Sequence, residues 1–531
     1  MYEPAAELVE IPIFPQDPRV TRSPVVVHVR GNLLPGPVGD RIAVFDYNRD
    51  RDEVYGAARP KPDGSFPDYD PTDLRFHQLN AYAITARAVE LSEKELGRDL
   101  KWGFNGSRLI VLPHAGYMAN AFYSETSHTL QLYSFVPDGS RHVYHTALSH
   151  DVVSHETGHA ILDAVRGQYT ESLEPETAAI HEGVGDLAAL FAALSHDTIK
   201  KRVIDPMAEG RPNLVSEIAE HFEGDDQNLR SLIYDPKQDY TNVVEPHLLS
   251  LKLSRAIYEI LRRLYKARLA AGLEKLDAFE SARKAVQRMT VRTLGHLPPA
   301  DATIRDFAIA MLTADSNAHP LDNRDYRAVV GTVFEEHGLL PAGGAATAAV
   351  VDEDPWRALP ATWPRISPRE AYEFLDRNRD RLALSKFPLY RDFVVSDLQL
   401  VMRPPLHTTI DQVIITYEYP VDVELKGKAF GPYAGYWLPV IGGGTLVFDA
   451  VGALCHHAEK PVTKARVDRL KDLIKNKGNL FAASKLTLED EIRSTNSGRP
   501  WVLELRGNQV TPRSNPAARC GATRPGKERR Q

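Results

Sequence analysis

Cysteine is almost absent. Cys455 and Cys520 are the only two in 531 residues, so no disulfide framework holds the fold and a thiolate-based metal site is excluded. Charge of one sign is scarce as well. The formal net charge of -7 is small for this length and spread along the chain, which gives no concentrated field for nucleic acid or an anionic membrane. Only the stretch from Arg506 onward is clearly basic. No run of about eighteen apolar residues occurs, so a transmembrane helix is not expected. Residues 1–12 lack a basic region followed by an apolar core and do not read as a secretory signal; the expectation is a cytoplasmic protein, with non-classical export left open. Internal repeats are missing, and Gly442-Gly443-Gly444 is no phosphate loop because the Lys and Ser or Thr that should follow are not there.

What is present is sharper. His155-Glu156-Thr157-Gly158-His159 lies inside an apolar-periodic segment, residues 151–165, that predicts a helix. Residues four apart share a helix face, so His155 and His159 can offer two imidazole nitrogens to one metal ion while Glu156 projects beside it. Zinc suits this pair, and a catalytic zinc takes three protein ligands and keeps one position for water. The third ligand should be a His, Asp or Glu on another element. Glu182, 23 residues after His159, is such a candidate. Ile180, Val184, Leu187, Phe191 and Leu194 recur at helical spacing, and on that helix Glu182 and Asp186 share a face. Glu182 would complete the site, and Asp186 would accept a hydrogen bond from the distal nitrogen of a ligating histidine. A His-Glu-x-x-His run alone also occurs on inert surface helices, but an acidic pair set among Ala, Ile, Val, Leu and Phe is poorly explained as solvated charge.

These residues resemble the thermolysin-like zinc metallopeptidases, the gluzincins whose third ligand is a glutamate on a following helix. Residues 151–159 are similar to that family's active helix, and His181-Glu182-Gly183-Val184-Gly185-Asp186 is similar to its Asn-Glu-Ala-x-Ser-Asp segment. Leu229-Arg230-Ser231 with Asp235-Pro236, the run from His247 to Tyr258, and Asn120-Ala121-Phe122 resemble three further family segments in the same order, over roughly residues 79–340. The resemblance implies an α+β, two-lobed catalytic core with one catalytic Zn2+, cutting a peptide or protein substrate. It implies that Glu156 acts as general base, that His247 and Tyr169 hold the oxyanion, and that Arg230 ties Glu182 to the substrate carbonyl. Asn120 and Ala121 would align the peptide. Val152 and Leu229 would form an apolar pocket, implying cleavage before Leu, Phe or Ile. The departures are specific. The family's orienting aspartate is here Asn242, leaving Asp239 or Glu245 to position His247; its asparagine is His181; its tyrosine falls at Thr170, with Tyr169 one place early. Its calcium-binding acids fall near Ala193 and Lys201, so calcium is not supported. The rival reading is a non-catalytic zinc-binding protein that kept the fold and acts through its carboxy-terminal domain. Glu156 favours the enzyme, because a structural zinc needs no general base. Oligomeric state is not indicated.

The chain divides as residues 1–22, a Pro-rich loose arm; 23–150, a β-rich lobe; 151–340, a helical lobe carrying the zinc site; and 341–365, a low-complexity linker. Residues 366–505 read as a small α+β domain of unassigned role, opened by the capping box Ser367-Pro368-Arg369-Glu370 and a helix to about residue 384. Residues 506–531 form a basic tail expected to be disordered. Cys455-His456-His457 lacks a second ligand pair and reads as ordinary packing.

Overall fold

A computed structural model describes residues 8–104, 106–137, 140–218, 230–347, 362–382, 384, 393–402, 410–476, 481–484, 501–506 and 509–514. Within the stretch expected to be a loose arm, residues 8–13 form strand β1 (Leu8–Ile13), paired antiparallel to β2 (Val25–Arg30). Val9, Ile11 and Ile13 alternate into the core, so period-two patterning overrides the prolines around them. After β3 (Ile42–Val44) and the short pair β4 (Tyr47–Asn48) and β5 (Glu53–Val54) comes helix α1 (Leu74–Leu96). Asp73 caps its first turn by accepting from the Arg75 N–H, and Gly97 closes it in the left-handed conformation at φ 69°. Strands β6 (Leu109–Leu112), β7 (Ala121–Ser124) and β8 (Thr129–Leu132) join β3 in a four-stranded sheet of order β3-β6-β8-β7, leaving β7 at an edge. The small strands β9 (Ser134–Phe135) and β10 (Tyr144–His145) lead into the helices.

Helices α2 (His150–Val165), α3 (Pro175–Ala193), α4 (Asp197–Glu209), α5 (Pro246–Ala270), α6 (Lys275–His296), α7 (Ile304–Ala318) and α8 (Tyr326–Glu336) follow, with the strand pair β11 (Glu217–Ile218) and β12 (Arg230–Ser231) between α4 and α5. One hydrophobic core runs from Val9 to Leu340, so the β-rich and helical parts follow one another in sequence but share one interior. Among the described residues no single helix is long and apolar enough to cross a membrane; the most apolar, α3, is buried in that core.

A second core lies beyond residue 365 and draws in Leu173 and Ala178 from the first part of the chain. After the one-turn α9 (Gly344–Thr347), α10 (Pro368–Arg377) starts at the expected capping box but stops at Asn378, short of residue 384. Strands β13 (Val394–Met402), β14 (Ile410–Glu424), β15 (Trp437–Asp449), β16 (Leu454–Lys460), β17 (Phe481–Ser484), β18 (Trp501–Arg506) and β19 (Gln509–Ser514) form one seven-stranded sheet, with helix α11 (Lys464–Asn476) after β16. Part of the expected disordered tail is therefore strand β19. Gly442-Gly443-Gly444 lies inside β15 without breaking it. Tyr417 and Tyr419 pair with Gly444 and Gly442, and a Cβ on Gly442 would lie 2.6 Å from the Tyr419 ring, so the glycines clear space for cross-strand tyrosines.

The carboxyl end of α6 is where the two cores meet. A helix leaves its last carbonyls without intrahelical partners, and here side chains cap them. Arg166 donates from Nη2 to Gly295 O (2.8 Å) and from Nε to Leu297 O (3.2 Å); His456 Nε2 donates to His296 O (2.8 Å); Thr445 Oγ1 donates to Leu297 O (2.8 Å). His456 thus packs, as expected of it. Beside this seam Arg466 Nε donates to Asp301 Oδ2 (2.9 Å), with both side chains buried, while the better exposed Arg469 reaches Glu174. Arg466→Ala should lower the unfolding free energy by about 3–5 kcal/mol, because it strands a buried carboxylate. Arg469→Ala should cost less than Arg466→Ala, because its guanidinium is half exposed and water can reach that side of the pair, although Glu174 is itself buried. Guanidinium unfolding of both variants checks the contrast; equal losses would refute it.

Candidate metal centre

The two motif helices pack backbone against backbone. A Cβ on Gly158 of α2 would sit 2.9 Å from Gly185 Cα and 2.8 Å from Ala188 Cβ; one on Gly185 would sit 2.7 Å from His155 Cε1. Only glycine permits that approach. It brings His155, His159 and Glu182 together, all buried, with one ligand atom of each within 4.8 Å of the others. Nε2 of His155 is 3.4 Å from Glu182 Oε2, and Nε2 of His159 is 3.8 Å from Glu182 Oε1. Tetrahedral donors about 2.0–2.1 Å from zinc stand about 3.3 Å apart. Two imidazoles and a carboxylate at these separations fit a zinc ion with one open position.

The surroundings fix the rings. His155 Nδ1 lies 3.2 Å from Asp186 Oδ1, and Asp186 Oδ2 accepts from Ser254 Oγ of α5 at 3.1 Å. Asp186 therefore stands beside the distal nitrogen of His155. His181 Nδ1 is 2.7 Å from His159 Nδ1 and does the same for the second ring. Glu182 is fully buried, which by itself would raise its carboxyl, yet His247, His159 and His155 outweigh burial and hold it well below the usual carboxylate range.

Glu156 is 1% exposed, and its Oε2 accepts the Tyr123 N–H of edge strand β7 at 2.9 Å. Tyr123 also donates its hydroxyl to Asp163 of α2 at 2.7 Å; burial, then the Asp163 charge, pushes that phenol far up. His247, in the first turn of α5, sets Nε2 3.5 Å from Glu182 Oε2 and Nδ1 2.6 Å from Glu245 Oε1. The histidine therefore leans on Glu245, while Asp239 accepts from the Thr241 N–H instead. Glu245 also caps α5, accepting from the His247 and Leu248 N–H groups.

Other expected site residues fall differently. Tyr169 is fully buried and its hydroxyl donates to Pro298 O at 2.8 Å, so its proton is committed to the seam between the two cores rather than to an oxyanion. Thr170 Oγ1 bonds Glu125 and Gly167. Val152 and Ala121 are buried on α2 and β7. Asn120 is buried and its Oδ1 accepts the Ala121 N–H. Leu229 and the Arg230 side chain lie outside the described residues. Gly158, Gly185, Tyr123 and Ser254 support the site without having been singled out, because only the helix pairing and the fold of β7 onto α2 reveal them. Gly185→Ala should drive a methyl into the His155 ring and weaken zinc binding about 10–100-fold, whereas Gly183→Ala, which meets the end of the Leu253 side chain at 3.1 Å and Ser254 Oγ at an ordinary 3.5 Å, should bind zinc nearly as wild type. Competition titration against a chromophoric chelator measures both; unchanged affinity in Gly185→Ala would contradict the packing argument.

No family model matches this chain, and no curated protein does. Among solved structures, one match is a precursor of protealysin, a metalloproteinase from Serratia proteamaculans, at 17% identity and a TM-score of 0.39, covering 57% of this chain and 89% of that one. A likeness that loose carries no functional weight.

Proposed function

We propose that this protein is a zinc-dependent endopeptidase. The observation that carries the reading is the buried convergence of His155, His159 and Glu182, with Glu156 one residue from the first ligand and held by the edge strand. When bound, zinc supplies Lewis acidity toward water and the scissile carbonyl. Glu156 takes the proton of the attacking water and returns it to the leaving amine, and the Tyr123 N–H fixes the rotation of its carboxylate for that purpose. His247, oriented by Glu245, donates to the developing oxyanion. Arg230 is assigned the planar fork between Glu182 and the substrate carbonyl, a task for which Lys is a poor substitute. The substrate lies along β7, and Val152 with Leu229 shapes a preference for cleavage before bulky apolar residues.

The engagement of Tyr169 with Pro298 favours a second reading, a non-catalytic zinc protein that acts through its carboxy-terminal domain. One comparison separates the two. Wild type and Glu156→Gln, each with zinc counted, are assayed on quenched peptides carrying Leu or Phe after the scissile bond. The peptidase reading expects equal occupancy of the His155, His159 and Glu182 site and a fall in cleavage of about 10²–10⁴-fold in the variant. Zinc in both proteins with no cleavage of any peptide pool by either would hand the case to the second reading.

A further inference from the structure

Four segments distant in sequence converge on a cluster that the chemistry above leaves unused. His77 comes from α1, His114 from the loop after β6, His145 from β10, and Asp46 from the loop after β3. One ring nitrogen of each histidine lies within 4.8 Å of the others. His77 and His114 are each 2% exposed and His145 is half-buried, so the cluster opens on the His145 side.

The outer hydrogen bonds settle where the ring protons are. His77 Nε2 is 3.0 Å from Pro71 O, and a carbonyl only accepts, so the His77 proton sits on Nε2 and Nδ1 carries a lone pair. His114 Nδ1 faces the Asp46 carboxylate at 2.9 and 3.0 Å, so its proton sits on Nδ1 and Nε2 carries a lone pair. Those two lone pairs point at each other across 2.8 Å. Such a contact is repulsive unless a cation lies in it. A shared proton would serve two nitrogens, but the third ring is what a proton does not need and a metal ion does. Ser134 Oγ, 2.7 Å from His145 Nδ1, can accept the proton there and keep the lone pair on Nε2. Carboxylate, carbonyl and hydroxyl behind three imidazoles is the support that fixes tautomer and raises basicity in metal-binding histidines.

We propose that His77, His114 and His145 form a second metal site, for a divalent transition ion of the zinc class, with water completing the coordination from the His145 side. Three neutral imidazoles suit Zn2+ and its neighbours and are poor ligands for calcium or magnesium. Widening the His77 to His114 contact from 2.8 Å toward the roughly 3.3 Å of tetrahedral donors needs only a small ring rotation. The site does not depend on the peptidase reading.

The test counts metal. Full-length protein is stripped with chelator, titrated with Zn2+ and analysed for bound zinc by mass spectrometry, with circular dichroism to confirm folding. Wild type should hold two equivalents. The double variant His155→Ala/His159→Ala should keep one, and His145→Gln and His77→Ala should each lose one while holding the other. A single wild-type equivalent that vanishes in the double variant and is untouched by His145→Gln or His77→Ala would overturn the proposal and leave a shared proton as the occupant. A single equivalent lost in His145→Gln but kept in the double variant would uphold this site and instead sink the metal centre assigned to His155, His159 and Glu182.

Discussion

The contact between Gly158 and Gly185 is the constraint from which the metal centre follows. Helices with ordinary side chains at the crossing stand about 8–10 Å apart. Removing both Cβ atoms at one level lets α2 and α3 close until the His155 ring lies over the Gly185 backbone. That approach lets Glu182 and Asp186, one turn apart on α3, take the two nitrogens of His155 from the same side. Burying a full carboxylate at Glu182 would otherwise be expensive. Three histidines around it compensate electrostatically, and the same set is suited to a divalent cation.

The second core bears on this site through the loop that follows α2. Arg166 and Tyr169 both hold carbonyls at or just beyond the end of α6, the segment that His456 and Thr445 also hold. The Tyr169 hydroxyl is thus engaged in this seam. The second core is also tied to the candidate metal centre: Leu173 and Ala178 belong to that core, and Ala178 is four residues before Glu182 on the same helix.

What could be read from sequence was what repeats at short range. Apolar spacing of three and four placed α2 and α3 to within a few residues, and local chemistry placed the cap of α10 at Ser367. The candidate ligands His155, His159 and Glu182 were legible because helical spacing sets their faces. Strand β1 was hidden by the prolines of residues 12–18, although its buried residues alternate cleanly. Helix α4 was hidden by Pro206 near its end. The reason for the glycine run in β15, the rings of Tyr417 and Tyr419, sits on another strand and is not written in the run itself. The histidine cluster could not be found at all, since His77, His114 and His145 fit no motif and meet only through the folding of α1 against the first sheet.

Edge strand β7 shows why the order of assembly matters for chemistry. A general base works only when held to within a fraction of an ångström of its productive position. Glu156 is held by the Tyr123 main chain, and Tyr123 is in turn tied by its hydroxyl to Asp163, two turns further along the same helix. Strand and helix are therefore bolted at two points about 10 Å apart along α2, given a rise of about 1.5 Å per residue. A peptide added to the free edge of β7 would take its register from the strand that also sets the base. Under the proposed peptidase reading, alignment of the peptide and orientation of Glu156 become one geometric condition, and a change at Tyr123 would disturb both together.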